Sequence, residues 1–237
     1  MANIPMRTLK IPGLADTYTI PTAPEHIGAA PAGYGYGEAP VALGTADNDT
    51  AFIAALNKLF DKTAGKTRQV MFHMGGVTYI GTLWNAGNGY GTLTANSYIE
   101  ANSAAYLTKI VRNCVNRNWQ PWEYENPPLM NNTEYRTTER YAGKPVYVKR
   151  INYGTLGAAN ATVTIPLGVS TVTDLVDFVI IHKNASNNVY MFPSHEFYSG
   201  VASLTGYFDL TIRAFVLQTH KDMSEDNAIV TVKYTKD

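Results

Sequence analysis

Charge is scarce in this chain. Asp, Glu, Lys and Arg together make up 16% of its 237 residues, where about a quarter is usual. Acidic and basic residues balance at 19 each, so the broad positive surface that holds nucleic acid is missing, and no nucleic-acid partner is expected. There is a single cysteine, Cys114, which excludes an intrachain disulfide and reads as a small buried hydrophobe. No run of about 18 apolar residues occurs, so no membrane insertion is expected. The first residues lack the basic start and apolar stretch of a secretory signal, which points to assembly inside a cell. A chain carried out as part of a larger particle would still act outside.

Catalytic spacings are equally absent. The five histidines, His26, His73, His182, His195 and His220, never fall at a metal-binding spacing; His73 would make a three-histidine site only if copies met on a threefold axis. No G-x-S-x-G occurs, and Cys114 has no base near it in sequence. The segment GNGYG at 87–91 lacks the glycine spacing and the Lys-Ser/Thr of a phosphate loop. Glu123 and Glu125 stand two apart, on one side of any strand containing them, as a glycosidase pair might. Asp222, Ser224, Glu225, Asp226 and Asn227 read as a solvated turn. No cofactor is implied.

What the chain does have is 16 Tyr, 19 Gly and 45% apolar residues, the composition of β structure with tight turns. Residues 6–21 read as two extended pieces about Gly13. Residues 28–44, mostly Gly, Ala and Pro, cannot form a core alone; they are a linker or a strap that orders against a neighbouring subunit. Residues 45–63 are the one convincing helix. Thr45 or Asp47 can cap it, Gly65 can stop it, and Phe52, Ile53, Leu56, Leu59 and Phe60 make a broad apolar stripe. Such a stripe must cover a sheet or meet its own copies.

From Gln69 the period changes to two. Strands are expected around 70–74, 78–84 and 106–115, followed by a hairpin turn at Asn116-Arg117-Asn118. Pro127-Pro128 then suggests a boundary near 128–134. Later strands centre on 146–151, 163–167, 176–181, 210–216 and 230–234, with turn signals at Asn187-Asn188 and Ser199-Gly200. The 176–181 strand, apolar on both faces, is expected to be central. No helix pattern of useful length follows residue 130. The fold class is mainly β, with a β-sandwich or jelly-roll-like second half.

Aromatic clusters are the remaining candidates for binding. Sugar recognition in water favours flat rings beside amides and hydroxyls, because C–H faces stack while hydroxyls need partners. Tyr190, Phe192, His195, Phe197 and Tyr198 crowd one loop-like segment and are the candidate glycan-binding residues, although rings at a strand end can equally enter the core. Trp119 and Trp122 are read as closing the first β module, with Trp122 packed near the proline-rich junction.

Several motifs resemble bacteriophage and pyocin tail fibres. Residues 65–129 resemble a knob-like module of those fibres, through Tyr79-Ile80-Gly81-Thr82, Asn88-Gly89-Tyr90-Gly91-Thr92, Arg112-Asn113 and Asn118-Trp119-Gln120-Pro121-Trp122-Glu123. Residues 134–237 resemble a second tail-protein module, through Glu134-Tyr135-Arg136-Thr137-Thr138-Glu139-Arg140-Tyr141, Gly143-Lys144-Pro145-Val146-Tyr147 and the ending Thr231 to Lys236. The resemblance implies four parts: an attachment segment or strap at 1–44, a helix at 45–64 on a trimer axis, a knob-like β module at 65–130, and a β-sandwich at 131–237. It implies a homotrimeric fibre tip in a virion tail, joined to other tail or baseplate proteins through its N-terminal segment. That tip would adsorb to bacterial surface polysaccharide without catalysis. Phe52, Ile53, Leu56, Leu59 and Phe60 would then line the threefold interface. Two other readings stay open: a structural tail or baseplate protein without host contact, and a depolymerase.

Overall fold

The computed structural model describes residues 6–10, 17–21, 40–62, 65–98, 108–184, 189–192, 197–198, 201–202 and 204–236. It divides into two compact units, Met1–Leu107 with Val111–Pro121, and Thr108–Ile110 with Trp122–Asp237. The chain therefore changes unit between Pro121 and Trp122, ahead of the Pro-Pro pair. Pro127 and Pro128 are half-buried within the second unit.

Unit 1 opens with an antiparallel ribbon of β1 (Met6–Lys10) and β2 (Thr17–Pro21), with Leu9 and Tyr18 partners in the backbone register. Then come β3 (Val41–Thr45), α1 (Asp49–Lys62), β4 (Lys66–Met74), β5 (Val77–Gly87), β6 (Tyr90–Ser97), β7 (Lys109–Val115, with Lys109 and Ile110 grouped in unit 2) and β8 (Asn118–Trp119). The strands lie in the order β7-β6-β5-β4-β3, with β8 paired to β7. β3 runs parallel to β4 and α1 makes the crossover between them, while β4, β5 and β6 form antiparallel hairpins. Two-residue turns set the hairpin registers: Gly75-Gly76, Asn88-Gly89 and Asn116-Arg117 all have positive φ, the geometry whose twist matches the flanking strands. Asn116 and Arg117 hold it without a glycine, at φ 50° and 62°.

α1 starts later than its capping residues suggest. Asn48 is the cap, its Oδ1 accepting from the Ala51 amide at 3.1 Å. Asp47 is engaged elsewhere: its Oδ1 accepts from the Gly75 amide at 2.8 Å, and Thr45 pairs with His73 in the β3–β4 ladder. At the far end, Gly65 takes φ 71°.

The apolar stripe of α1 is covered within one copy of the chain. Phe52, Leu56, Leu59 and Phe60 are buried and Ile53 is half-buried. Phe52 packs on Phe72 of β4, ring centroids 5.0 Å apart, and Phe60 meets Trp119 edge-on at 5.5 Å. Of the two fates open to that stripe, it covers a sheet. Four of the five side chains expected at a threefold interface, Phe52, Leu56, Leu59 and Phe60, are thus taken up within one copy, while Ile53 keeps part of its surface; helical period reveals a stripe without revealing its partner. Burial of each large one contributes about 1.5–3 kcal/mol over exposure.

Unit 2 holds β9 (Glu123–Tyr124), β10 (Glu134–Tyr141), β11 (Lys144–Thr155), β12 (Thr162–Pro166), β13 (Asp174–Lys183), β14 (Val189–Phe192), β15 (Phe197–Tyr198), β16 (Val201–Ala202), β17 (Leu204–Asp209), β18 (Ala214–Thr219) and β19 (Asn227–Thr235). One sheet runs β14-β13-β19-β11-β10-β9 and another runs β12-β18-β17, while β15 and β16 form a small ribbon. Ile165, Phe215 and Leu217 of the three-stranded sheet share one core with Ile180, Val230, Val232 and Tyr234 of the larger sheet. This is the β-sandwich that strand alternation predicts, and no helix interrupts it among the described residues. β13 does have neighbours on both sides, but the central strand is β19, flanked by β11 and β13 and buried at Ala228, Val230, Val232 and Tyr234.

Candidate functional site

The motif residues behind the tail-protein resemblance are mostly committed to holding unit 2 together. Glu123 is buried, and its carboxylate accepts from Arg136 Nε at 3.0 Å and from Arg140 at 2.7 and 2.9 Å. Glu139 pairs with Lys233 Nζ at 2.7 Å. Glu134 accepts from Tyr234 Oη and from Lys236 Nζ, and Lys236 also lies 4.2 Å above the Tyr147 ring. The opening stretch, 134–141, is thus tied across β11 to the closing stretch, 231–236. Burial, with Glu134 beside it, pushes the Tyr234 hydroxyl well above its usual range. Thr137 Oγ1 donates to the Val146 carbonyl at 2.9 Å, and Tyr135 meets Tyr124 edge-on.

This clamp also separates the suspected carboxylate pair. Glu123 is buried on β9, whereas Glu125 lies past the end of that strand, exposed and paired with Lys109. Alternation would have put them side by side, but a two-residue strand ends before it can do so.

In unit 1 the same kind of residue anchors the helix. Trp119 is buried at 5% exposure and its Nε1 donates to Asn57 Oδ1 at 2.9 Å. Arg112, also buried, grips the Asp49 carboxylate with both terminal nitrogens, one at 3.0 Å, and its Nε donates to the Gln120 carbonyl at 2.7 Å. The hydrogen bond from Arg112 holds the Asp49 carboxyl below its usual range. Asn85 donates to the Phe60 carbonyl. Trp119 therefore closes unit 1 as expected of it, while Trp122, half-buried, begins unit 2. Cys114 is buried, as a lone cysteine should be, and burial raises its thiol.

The candidate glycan-binding residues are only partly within view. Tyr190 and Phe192 sit on β14, opposite His182 and Ile180 of β13. Phe197 and Tyr198 sit on β15, opposite Ala202 and Val201 of β16. The side chains of these four, and His195 altogether, lie outside the described residues. His182 is buried, its Nδ1 3.1 Å from Asp226 Oδ2, so Asp226 leaves the solvated turn it was assigned to and joins a buried pair. His73 is exposed, with Nδ1 3.1 Å from Thr78 Oγ1. Among the described residues no three His, Cys, Asp or Glu side chains gather as a metal would require.

One surface escaped the sequence reading. α1 covers the face of the unit 1 sheet that carries Val70, Phe72, Tyr79, Leu83, Leu93 and Ala95, all buried. Strand side chains alternate between faces, so the opposite face carries positions 67, 69, 71 and 73 of β4, 78, 80, 82, 84 and 86 of β5, and 90, 92, 94 and 96 of β6. Trp84 lies on that face at 50% exposure. Backbone register places it between Thr67 and Thr92, in the row next to Gln69, Thr82 and Thr94. Thr92 Oγ1 donates to Asn113 Oδ1 of β7 at 3.0 Å. The available signal was the alternation 79, 81, 83 against 80, 82, 84, but alternation does not say which face the helix takes.

No family model matches this chain, and no curated protein matches it. Among solved structures, it aligns with the structure of the Pseudomonas aeruginosa R1 pyocin fiber comprising C-terminal residues 323–701. The alignment spans 93% of this chain and 72% of that one, at 8% identity and a TM-score of 0.25, a level of likeness that carries no argument about fold or role.

Proposed function

We propose that this protein is the receptor-binding tip of a bacteriophage or phage-derived tail fibre, adsorbing as a homotrimer to a glycan on the bacterial surface without catalysis. Its place would be the virion tail, with residues 1–44 docking to other tail or baseplate proteins. The observation that carries this reading is how the polar groups divide. The buried carboxylates Glu123 and Asp226 are matched to arginines and a histidine within unit 2. Large rings stand at the surface: Trp84, Tyr90, Tyr98, Tyr141, Tyr153 and Tyr207 are each at least 37% exposed. A rigid β scaffold that displays aromatic and neutral polar side chains suits adhesion to sugars. Weak sites repeated in three copies, and over several fibres, would raise avidity by orders of magnitude. Since α1 packs against its own sheet, the threefold contact in this reading is made by other surfaces.

The test is adsorption of purified protein to a panel of bacterial envelopes, with molecular mass measured in solution and reducing ends assayed afterwards. Saturable adsorption by a trimer, with no new reducing ends, is expected. Failure to adsorb to any envelope overturns the reading in favour of an internal tail or baseplate role, and released reducing ends overturn it in favour of a depolymerase.

A further inference from the structure

We infer that the face of the unit 1 sheet opposite α1 is a saccharide platform, on which Trp84 stacks against the C–H face of a neutral hexose unit; this rests on the adhesive role proposed above and places the contact in unit 1. Three observations converge.

The first is placement. Trp84 stands on β5, which is paired on both sides, to β4 and to β6. Its ring rises from the interior of a hydrogen-bonded sheet rather than from a loop or an edge. A half-exposed indole, 50% accessible, costs little backbone ordering when a ligand covers it, because the ladder has already fixed its base.

The second is the chemistry around the ring. Thr67 and Thr92 flank it directly across the ladder, and Gln69, Thr82 and Thr94 occupy the next row. Sugars present an apolar C–H face together with hydroxyls that both donate and accept. Threonine hydroxyls and a carboxamide answer both needs. The Thr92–Asn113 bond fixes the hydroxyl's proton and leaves its lone pairs and the amide NH2 outside that bond.

The third is charge. None of the outward positions 67–73, 78–86 and 90–96 named above is Asp, Glu, Lys or Arg. A uronic acid, a phosphate-bearing teichoic chain or an acidic peptide would find no cation there to offset its desolvation. The rows nearest Trp84 carry Thr67, Gln69, Thr82, Thr92 and Thr94, with Met71 and Ile80 one row further on, and a hydroxyl-rich ligand pairs with those hydroxyls and that amide more fully than an apolar protein face does. The occupant that fits is uncharged, hydroxyl-rich and apolar on one side.

The test uses the full chain and three forms: wild type, Trp84→Thr, which keeps a strand-forming residue, and Trp84→Phe, which keeps a flat ring. Each is measured on immobilised neutral hexose polymers (a β-glucan, a galactan and a mannan) and on a polyuronate. We expect wild type to bind at least one neutral polymer and Trp84→Thr to lose about tenfold or more in apparent affinity. Trp84→Phe should retain most of it, and all three should melt alike. Saturating polymer should shift tryptophan emission in wild type and not in Trp84→Thr. Unchanged binding by Trp84→Thr overturns the platform, as does binding restricted to the polyuronate. A sedimentation change in Trp84→Thr also overturns it, by marking the face as a contact between copies. Adsorption of wild type to cells separates the two ideas: if cells are bound equally by wild type and Trp84→Thr, only the platform fails, whereas if wild type binds no cells the adhesive role fails.

Discussion

The two units solve the same problem differently. Each has a twisted sheet with one face to hide. Unit 1 hides it under a single helix, unit 2 under a second sheet. A helix presents a narrow stripe, so unit 1 supplements four large apolar side chains with polar ties: Asn48 on the Ala51 amide, Asn57 on Trp119, Arg112 on Asp49 and Asn85 on the Phe60 carbonyl. A sheet presents a broad surface, and the core of unit 2 is a continuous apolar layer with fourteen buried members. The pairs of Glu123 with Arg136 and Arg140, Glu139 with Lys233, and Glu134 with Lys236 lie on strands β9, β10 and the 233–236 region rather than on β12, β17 and β18. Unit 1 is thus oriented by hydrogen bonds, and unit 2 by shape.

That contrast can be broken at graded cost. The largest effect is expected in unit 2. Phe215, 1% exposed and packed at a tilt between Phe178 and Phe208 at 5.1 and 4.9 Å, touches both sheets' aromatic layer; Phe215→Ala should cost about 3–5 kcal/mol in chemical denaturation. A loss below about 1 kcal/mol would mean the two sheets do not share that core. In unit 1 the helix seat is tightest at Gly91, where an added Cβ would lie 2.4 Å from the Trp84 carbonyl and 2.5 Å from the Phe60 ring. Gly91→Ala should cost about 1–3 kcal/mol and reduce the helical circular dichroism signal disproportionately.

Asp49→Asn removes the charged partner of a buried arginine, and about 1–2 kcal/mol is expected at neutral pH. The pH dependence gives a sharper reading. Because Arg112 lowers the carboxyl's folded value, this pair's stability is fully present above the ordinary carboxylate range and is lost as pH falls through the lowered value. Thermal melts on the acid side should show that loss in wild type and a flatter profile in Asp49→Asn. Asn48→Ala should cost about 1 kcal/mol, read from the same melts. Last, Trp84→Thr should change stability by less than about 0.5 kcal/mol; a larger drop would mean that the outward face of unit 1 also serves the fold.

Much of this was legible in the sequence, for local reasons. The period of α1, the hairpin turn at Asn116-Arg117 and the strand alternation of 146–151 and 230–234 are set by neighbours a few residues apart, and they appear where expected. What was not legible depends on partners distant in sequence. Thr45, Asp47 and Asn48 are all capping residues, and only the capture of Asp47 by Gly75 and of Thr45 by the β3–β4 ladder leaves the cap to Asn48. Pro127-Pro128 looked like a boundary because proline breaks ladders, yet Glu123 is bound to Arg136 and Arg140 and keeps that stretch inside unit 2. The candidate platform was hidden for a related reason. Trp119 and Trp122 stand in a conspicuous cluster, while Trp84 sits in an unremarkable alternating strand whose exposure is decided by where α1 lies.

The central position of β19 has a consequence for biosynthesis. Its residues, Asn227–Thr235, separate β11 from β13, so the earlier strands leave the ribosome with the middle of their sheet missing. Unit 1 has all its parts once Pro121 has emerged, but unit 2 must wait for residue 235. During that interval β11 and β13 each expose a row of unpaired backbone groups, a template for pairing between nascent chains. Slow translation or a stall ahead of Asn227 should therefore yield aggregates rather than a shortened soluble product, and holdase chaperones should raise the yield by guarding those two edges.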